Sequence, residues 1–321
     1  MTNKKPIKRI AVIFNVLKDR RKIEEYMKLV QARSPNTIID IVPTESLSDG
    51  FVQAKHIHNK GYDLLVAAGG DGTVLSVVNG VVHSGTLFTT LPLGTGNDYA
   101  KAMGIHSVED AVEAIFRGTV KQADAGHCTF RDSDGKQQQL YFCSTAGIGL
   151  FARISELEKH RLSRWLKMLL KDGVWPLLAA ASIFSTKNIP TKLLVNKHQI
   201  TTDMLLFEVS NVPKAGGFLL TPFASINSET FDSWMVHHVN VLERWRIFLT
   251  ALANKAGHLD YRNVEYFTSQ PDWNRYGYTK LTRIEVEPAQ PLPVHLNGDL
   301  MGQTPALFEM MPKSLNVLVL S

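Results

Sequence analysis

Four short apolar runs in the first 93 residues, each separated from the next by a helix-length stretch, constrain the fold more than any other feature of the chain. Ile7 to Asn15, Thr37 to Val42, Asp63 to Ala68 and Leu87 to Leu93 are continuous rather than alternating, and rich in Val, Ile and Leu. A strand of that kind is buried on both faces, as in a parallel sheet covered by helices. Lys22 to Ala32, Ser48 to Lys60, Thr73 to Val82 and Val108 to Phe116 have the length of crossover helices. The pattern predicts a βαβ series and a Rossmann-like layer.

After about residue 125 the texture changes to many short β-type runs, among them Leu140 to Ser144, Lys192 to Val195, Leu205 to Ser210, Trp234 to Val241, Leu281 to Val286 and Val294 to Leu296. The Asn196-Lys197 turn and the alternation of Thr282-Arg283-Ile284-Glu285-Val286 suggest antiparallel pairing in a sandwich or barrel. Two helical segments, at about 152–184 and 243–256, interrupt it. A length of 321 residues suits about two domains. The expected fold is α/β plus mostly-β: a Rossmann-like N-terminal α/β domain over 1–125, then an antiparallel β-sandwich domain over 126–304, with the tail from about 305 to 321 packing back on the first.

Composition narrows the class. Hydrophobic residues at 44% and charged residues at 20% are ordinary globular values, which argues against a disordered or fibrous chain. The apolar run Gly173 to Phe184 has 12 residues and contains Pro176, short of the roughly 20 needed to cross a bilayer. Ile10 to Phe14 follows lysines, but Asn15, Lys18 and Arg20 to Lys22 cut it too early for a signal peptide, so a cytoplasmic protein is expected. Cys128 and Cys143 lack zinc spacing and read as small buried hydrophobes. The histidine pairs His56/His58 and His237/His238 have no third ligand at a suggestive spacing. The net charge of +5 is local: residues 1 to 33 hold ten Lys/Arg against Asp19, Glu24 and Glu25. Such a surface attracts phosphates or acidic lipid headgroups, or is a solvated first helix; its only aromatic residues, Phe14 and Tyr26, are too few to form stacking platforms between the charges, which argues against nucleic acid.

Two segments carry the chemistry. In Asp63-Leu64-Leu65-Val66-Ala67-Ala68-Gly69-Gly70-Asp71-Gly72-Thr73 a buried strand runs into a glycine-rich turn and then a helix. Without side chains, Gly69, Gly70 and Gly72 let backbone amides approach a phosphate, the helix N-terminus adds positive dipole, and Thr73 can donate another hydrogen bond. Asp71 would repel that phosphate unless a divalent cation or a moving proton lies between them, so it reads as a Mg²⁺ handler or base, or else as a helix cap. Leu91-Pro92-Leu93-Gly94-Thr95-Gly96-Asn97-Asp98 again ends a strand and opens a helix. Adjacent strand ends of one parallel sheet should place the two turns side by side, and Thr95 and Asn97 are then either cap residues or nucleotide contacts.

Together, Gly69-Gly70-Asp71-Gly72-Thr73 and Pro92-Leu93-Gly94-Thr95-Gly96-Asn97-Asp98 make the chain resemble the diacylglycerol kinase catalytic domain family and its bacterial lipid kinases, in the superfamily that includes sphingosine and NAD kinases. The likeness continues through Asp124 in Gln122-Ala123-Asp124-Ala125-Gly126, Ala146-Gly147-Ile148-Gly149, Asn211 ahead of Gly216-Gly217, Pro222 with Ala224, and Asn297-Gly298-Asp299. The resemblance implies ATP and Mg²⁺ as cofactors. It implies that Asn15 and Thr44 contact the nucleotide, that Gly69, Gly70, Asp71, Gly72, Thr73, Val74 and Leu75 cradle its phosphates, and that Thr95 and Asn97 close over it. Asp71 would hold magnesium with the nucleotide. The family's base is the Glu of an Asp-Gly-Glu segment, here Asn297-Gly298-Asp299, so Asp299 would receive the proton of the attacking hydroxyl, with Asp124 coupled to it. Asp299 is one methylene shorter, and Asn-Gly-Asp is also an ordinary hairpin turn.

Two departures stand out. The family's first strand ends in Asn-Pro-x-Ser-Gly, whereas this chain has Asn15-Val16-Leu17-Lys18-Asp19, which leaves Lys18, Arg20 or Arg21 to meet phosphate. Many bacterial members also hold a structural Mg²⁺ through an Asp after the Pro-x-Ala segment, and the matching position is Ser228, which argues against that ion. On the lipid side, Arg161, Arg164, Lys167 and Lys171 fall opposite Leu162, Trp165, Leu166, Leu169 and Leu170, the pattern of a core-packed helix or of one lying on an anionic membrane. The reading is an ATP-dependent lipid kinase that makes phosphatidic acid from diacylglycerol at an anionic membrane surface. Alternatives are a kinase of a sphingoid base or NAD and a nucleotide-binding regulator with impaired catalysis. The sequence leaves the oligomeric state open, a homodimer included.

Overall fold

The computed structural model describes residues 6–153, 174–195, 198–216, 218–246, 249 and 276–320. Its first strands, β1 (Arg9–Asn15), β2 (Ile38–Thr44), β3 (Leu64–Gly69) and β4 (Leu87–Pro92), are parallel and lie in the order β2-β1-β3-β4. Every residue of β3 is buried, which explains its unbroken apolar run. Five helices belong to this half: α1 (Arg20–Arg33), α2 (Leu47–His58), α3 (Asp71–Val81), α4 (Asp98–Ala102) and α5 (Val108–Arg117). Their starts are set by short polar side chains. Asp19 accepts from the Arg21 amide, Ser46 accepts from the Asp49 amide, and Ser107 with Asp110 forms a reciprocal capping box.

The second half contains β5 (Thr119–Arg131), β6 (Gln137–Phe142), β7 (Thr145–Gly149), α6 (Val174–Ser185), β8 (Ile189–Val195), β9 (His198–Ser210), the two-residue strands β10 (Lys214–Ala215) and β11 (Phe218–Leu219), β12 (Phe231–His237), β13 (Tyr276–Leu281), β14 (Arg283–Pro288), β15 (Pro293–Leu296) and β16 (Asp299–Val319). These strands pair antiparallel with one another, as the sequence suggests. The pairings β9-β7-β15-β16-β14-β8 return to β9, so the hydrogen-bonded path closes into a ring. Closure is possible because β9 and β16 are long enough to change neighbours: β9 faces β8 up to Met204 and β7 from Leu206 onward. The chain is thus a mixed α/β protein with much β structure.

Two strands tie the halves together. β5 and β16 pair from Thr119 opposite Val319 to Arg131 opposite Gln303, with register shifts between Gln303 and Leu307 and between Met311 and Leu315. Beyond the second shift β16 leaves the ring, and Asn316 and Val317 lie parallel to Leu87 and Phe88 of β4. One core, around Ile10, Val12, Leu64, Val66 and Phe88, fills the parallel layer. Another lies around Phe142, Phe207, Phe231 and Phe308, with Phe142 and Phe231 stacked at 5.5 Å. Leu75 of α3 is fully buried in that second core, and Asn79 of α3 exchanges hydrogen bonds with the Tyr141 backbone of β6 at 2.7 and 2.8 Å. The helix that follows the first glycine turn is therefore clamped to the other half.

Of the expected helices beyond residue 150, only parts are described. α6 and a helical stretch at 241–246 overlap the two expected segments, while the basic amphipathic stretch with Arg161, Arg164, Lys167 and Lys171 lies outside the described residues, as does the Asn196-Lys197 turn. No helix among the described residues is long and apolar enough to cross a membrane.

Candidate active site

The carboxyl ends of β1, β3 and β4 form one edge of the parallel layer, and both glycine turns sit on it. Gly69 is opposite Pro92, and the Leu93 amide donates to the Gly69 carbonyl at 2.9 Å. A Cβ built on Gly94 would lie 2.5 Å from the Gly70 Cα, and one built on Gly70 would lie 3.2 Å from the Gly94 Cα. The turns touch backbone to backbone, which is the side-by-side placement expected from adjacent strand ends.

Asp71 opens α3 without capping it; Gly70 is the N-cap and has no side chain to do so. The Asp71 carboxylate crosses to the other turn, where Oδ1 accepts from the Tyr99 amide at 3.3 Å and Oδ2 lies 2.9 Å from a Cβ built on Gly96. Burial pushes the Asp71 carboxyl above its ordinary range, and the amides of Tyr99, Asp98 and Asn97 at the start of α4 oppose that shift. Asn97 adopts a left-handed conformation with φ 53°, and its amide bonds both the N–H and the carbonyl of Gly94. Its side chain thus shapes the turn rather than reaching outward. Thr95 is exposed at the tip. Asp98 is buried and accepts from the Gly216 amide at 2.7 Å, so a loop of the second half closes over the start of α4.

The remaining expected nucleotide residues divide by environment. Asn15 and Thr44 face each other at the ends of β1 and β2; Asn15 Oδ1 accepts from the Leu17 amide at 2.9 Å, and the Thr44 hydroxyl donates to the Phe14 carbonyl at 3.0 Å. Thr73 packs under the Gly69 bend, where any Cβ on Gly69 would overlap it. Val74 and Leu75 point into the cores, so they line the turn only with their backbone.

Asn297-Gly298-Asp299 is both the hairpin turn its local sequence allows and the carrier of a carboxylate to the glycine turn. Asn297 and Gly298 have φ 49° and 86°, and Leu296 pairs with Asp299 across the turn. Asn297 Oδ1 accepts from the Ser144 amide at 3.0 Å, while its Nδ2 approaches the Asp71 carbonyl at 3.3 Å. The turn is thereby fixed against the first residue of α3. Asp299 follows, and its Oδ2 stands 2.5 Å from where a Gly72 Cβ would be. Asp71 and Asp299, 228 positions apart in sequence, thus both lie at the first turn of α3, Asp71 as its first residue and Asp299 against Gly72.

Asp124 does not join them as a free proton acceptor. It is fully buried, with one oxygen on the Glu229 amide at 2.6 Å and the other on the Lys313 amide at 2.8 Å. The expected coupling to Asp299 gives way to a structural clamp, because both oxygens are already taken by backbone donors. Sequence reasoning also missed the roles of Asn79 and Ser144. Only Asn79 left a trace, as a polar residue inside the otherwise apolar Val77-Val78-Asn79 stretch.

The oxygen donors of Asp71 suit a hard cation shared with phosphate oxygens. The buried Asp71 charge would be relieved by one. The position expected to hold a structural ion does not fit: the Ser228 hydroxyl lies 2.7 Å from the Thr230 carbonyl and 3.2 Å from the Ser225 carbonyl, and its neighbour Glu229 is paired with Lys313. Among the described residues no three His, Cys, Asp or Glu side chains converge on a metal site.

Known proteins agree with this architecture. Residues 9–128 match the diacylglycerol kinase catalytic domain. The chain is 25% identical over 320 residues to a diacylglycerol kinase of Bacillus subtilis strain 168, covering 98% of this chain and 97% of that one. It is 23% identical over 307 residues to a diacylglycerol kinase of Staphylococcus carnosus strain TM300, covering 94% and 92%. Among solved structures, a diacylglycerol kinase of Bacillus anthracis str. Sterne superposes with a TM-score of 0.69 at 17% identity, over 99% of this chain and 98% of that one. Yeast NADH kinase superposes with a TM-score of 0.50 at 10% identity, over 99% and 85%. The chain shares its overall fold with these two kinases. The chain is thus similar to the diacylglycerol kinase catalytic domain over residues 9–128, and to bacterial diacylglycerol kinases at 23–25% identity along nearly its whole length.

Proposed function

We propose that the chain is an ATP- and Mg²⁺-dependent lipid kinase that phosphorylates the hydroxyl of diacylglycerol or a related lipid. The observation that carries this reading is the carboxylate of Asp299 at Gly72, beside Asp71 and over the first turn of α3. In this reading the backbone amides of Gly69 to Thr73 bind the nucleotide phosphates at the positive end of α3, and residues 1–125 with the tail act as a Rossmann-like nucleotide domain. Asp71 would hold Mg²⁺ with the nucleotide; the ion supplies charge neutralisation on the phosphates. Asp299 takes the proton of the acceptor hydroxyl as its oxygen bonds to the terminal phosphorus, and ADP departs with the electrons of the broken P–O bond. Asn297 positions that base by bridging Ser144 and Asp71. Contact with a bilayer is supported by Leu242, Trp245 and Leu249, exposed at 80%, 47% and 56% at helical spacing, with Trp245 packed on Phe184 at 4.5 Å.

The test is labelled ATP with Mg²⁺ and diacylglycerol in anionic mixed micelles, wild type beside Asp71→Ala and Asp299→Asn. Labelled phosphatidic acid that disappears in both variants is the expected result. ATP binding without transfer to diacylglycerol, a sphingoid base or NAD would replace the proposal with a nucleotide-binding regulator.

A further inference from the structure

We infer that the ammonium group of Lys313 is the resident counter-cation of the Asp124 junction, so that this chain joins its two halves without a structural divalent ion. The inference concerns how the protein is held together and stands apart from the proposed reaction.

Asp124 lies on β5 at the crossing between the halves and is fully buried. Three segments meet on it. Its own amide donates to the Ile226 carbonyl at 2.7 Å, one carboxylate oxygen accepts from the Glu229 amide at 2.6 Å, and the other accepts from the Lys313 amide at 2.8 Å within the β16 register shift. The next residue, Ala125, donates its amide to the Ser314 hydroxyl at 3.1 Å. Glu229 and Lys313 are both non-glycine residues with positive φ, 60° and 52°. Such a conformation is disfavoured for a residue with a Cβ and persists where its surroundings fix it. Here one carboxylate fixes both.

Two amides satisfy the Asp124 oxygens as hydrogen-bond acceptors, but they do not neutralise its charge. A buried carboxylate needs a cation nearby. Lys313 supplies one: its Nζ lies 2.6 Å from Glu229 Oε1, and its backbone is already bonded to Asp124. Glu229 first, and then Asp124, raise the Lys313 ammonium above its ordinary range, so the cation feels both acids. A divalent ion would need several oxygen ligands, yet Ser228 lies against backbone carbonyls and the Glu229 carboxylate faces the ammonium. A lysine does here what a bound ion would otherwise do.

The experiment is thermal unfolding of the full chain without nucleotide, in EDTA and in millimolar Mg²⁺, for wild type, Lys313→Met, Lys313→Arg and Glu229→Gln. The wild-type Tm is expected to be the same with EDTA and with Mg²⁺. Lys313→Met is expected to lower it by about 2 °C or more, with Lys313→Arg retaining most of it. Glu229→Gln, which leaves the ammonium facing Asp124, is expected to lower it less than Lys313→Met does; if Lys313→Met does not fold, Glu229→Gln folding normally is the supporting result. A wild-type Tm that rises with Mg²⁺ overturns the inference. So does a larger loss in Glu229→Gln than in Lys313→Met, which would leave only an ordinary surface ion pair.

Discussion

Gly72→Ala is the sharpest probe of the proposed base, because it adds one methyl group at a known distance from it. The new Cβ would lie 2.5 Å from Asp299 Oδ2, and ordinary contact begins at 3.4 Å, so the carboxylate must retreat by about 0.9 Å. A misplacement of about 1 Å at a reacting group costs roughly 100-fold in rate, which corresponds to ~2.7 kcal/mol of activation free energy. The folded state, by contrast, should tolerate the change. The only atoms met are those of the Asp299 side chain, and Ala is favoured over Gly inside a helix by about 0.5–1 kcal/mol. The expectation is a kcat lower by about two orders of magnitude with Tm unchanged or slightly higher. Initial rates at saturating ATP and diacylglycerol, beside a thermal melt, measure both quantities. A variant that keeps more than half the wild-type kcat would refute the placement of Asp299 as the base. A large fall in Tm would show that the backbone, not the carboxylate, gave way.

Three other outcomes follow from the same geometry. Asp71→Asn should abolish transfer yet raise Tm near pH 8. Burial raises the folded-state carboxyl above its unfolded value, so its destabilising effect is absent at low pH and grows as pH rises through the folded value; the gain in Tm should shrink in melts run toward pH 4. Gly94→Ala brings a Cβ within 2.5 Å of the Gly70 backbone and should cost about 1–3 kcal/mol by denaturant titration, more than Gly70→Ala with its 3.2 Å approach. Equal losses would sink the backbone-contact argument. Asn297→Ala leaves the Ser144 amide without its acceptor and should cost about 1–3 kcal/mol, whereas Asn297→Asp keeps that acceptor and should lose less, as paired melts would show.

The parallel layer was legible in the sequence because its strands are buried on both faces and so carry unbroken apolar runs; β3 and β4 start at or within one residue of their expected positions. The two long strands were not. β5 reads as Thr119-Val120-Lys121-Gln122 at its start, half solvated, and β16 contains Gly302, Pro305 and Pro312, so neither shows a clean period. Their pairing joins positions about 200 apart, which no local pattern encodes. Closure of the ring was hidden for the same reason: it depends on β9 and β16 changing partners partway along. α4, the helix expected to open after the second glycine turn, has only five residues and is entered through a left-handed Asn97. At the site, the glycine turns declared themselves through their composition and Asp299 through family resemblance. Its neighbour Gly72 and the clamp on Asp124 are facts of tertiary contact alone.

The route of β16 has a consequence for how the molecule is made. The parallel layer takes its strand beside β4 from β16, more than 220 residues further along, through Asn316 and Val317. A ribosome that has released the first half has therefore delivered a layer with β4 still unpaired on that side, and an open strand edge invites pairing with a foreign chain. Domains that emerge first generally fold first, but this one must wait until β16 has been made before its sheet is complete. Translation pausing or truncation anywhere between β5 and β16 should then yield aggregated or degraded nascent chains rather than a stable half-protein.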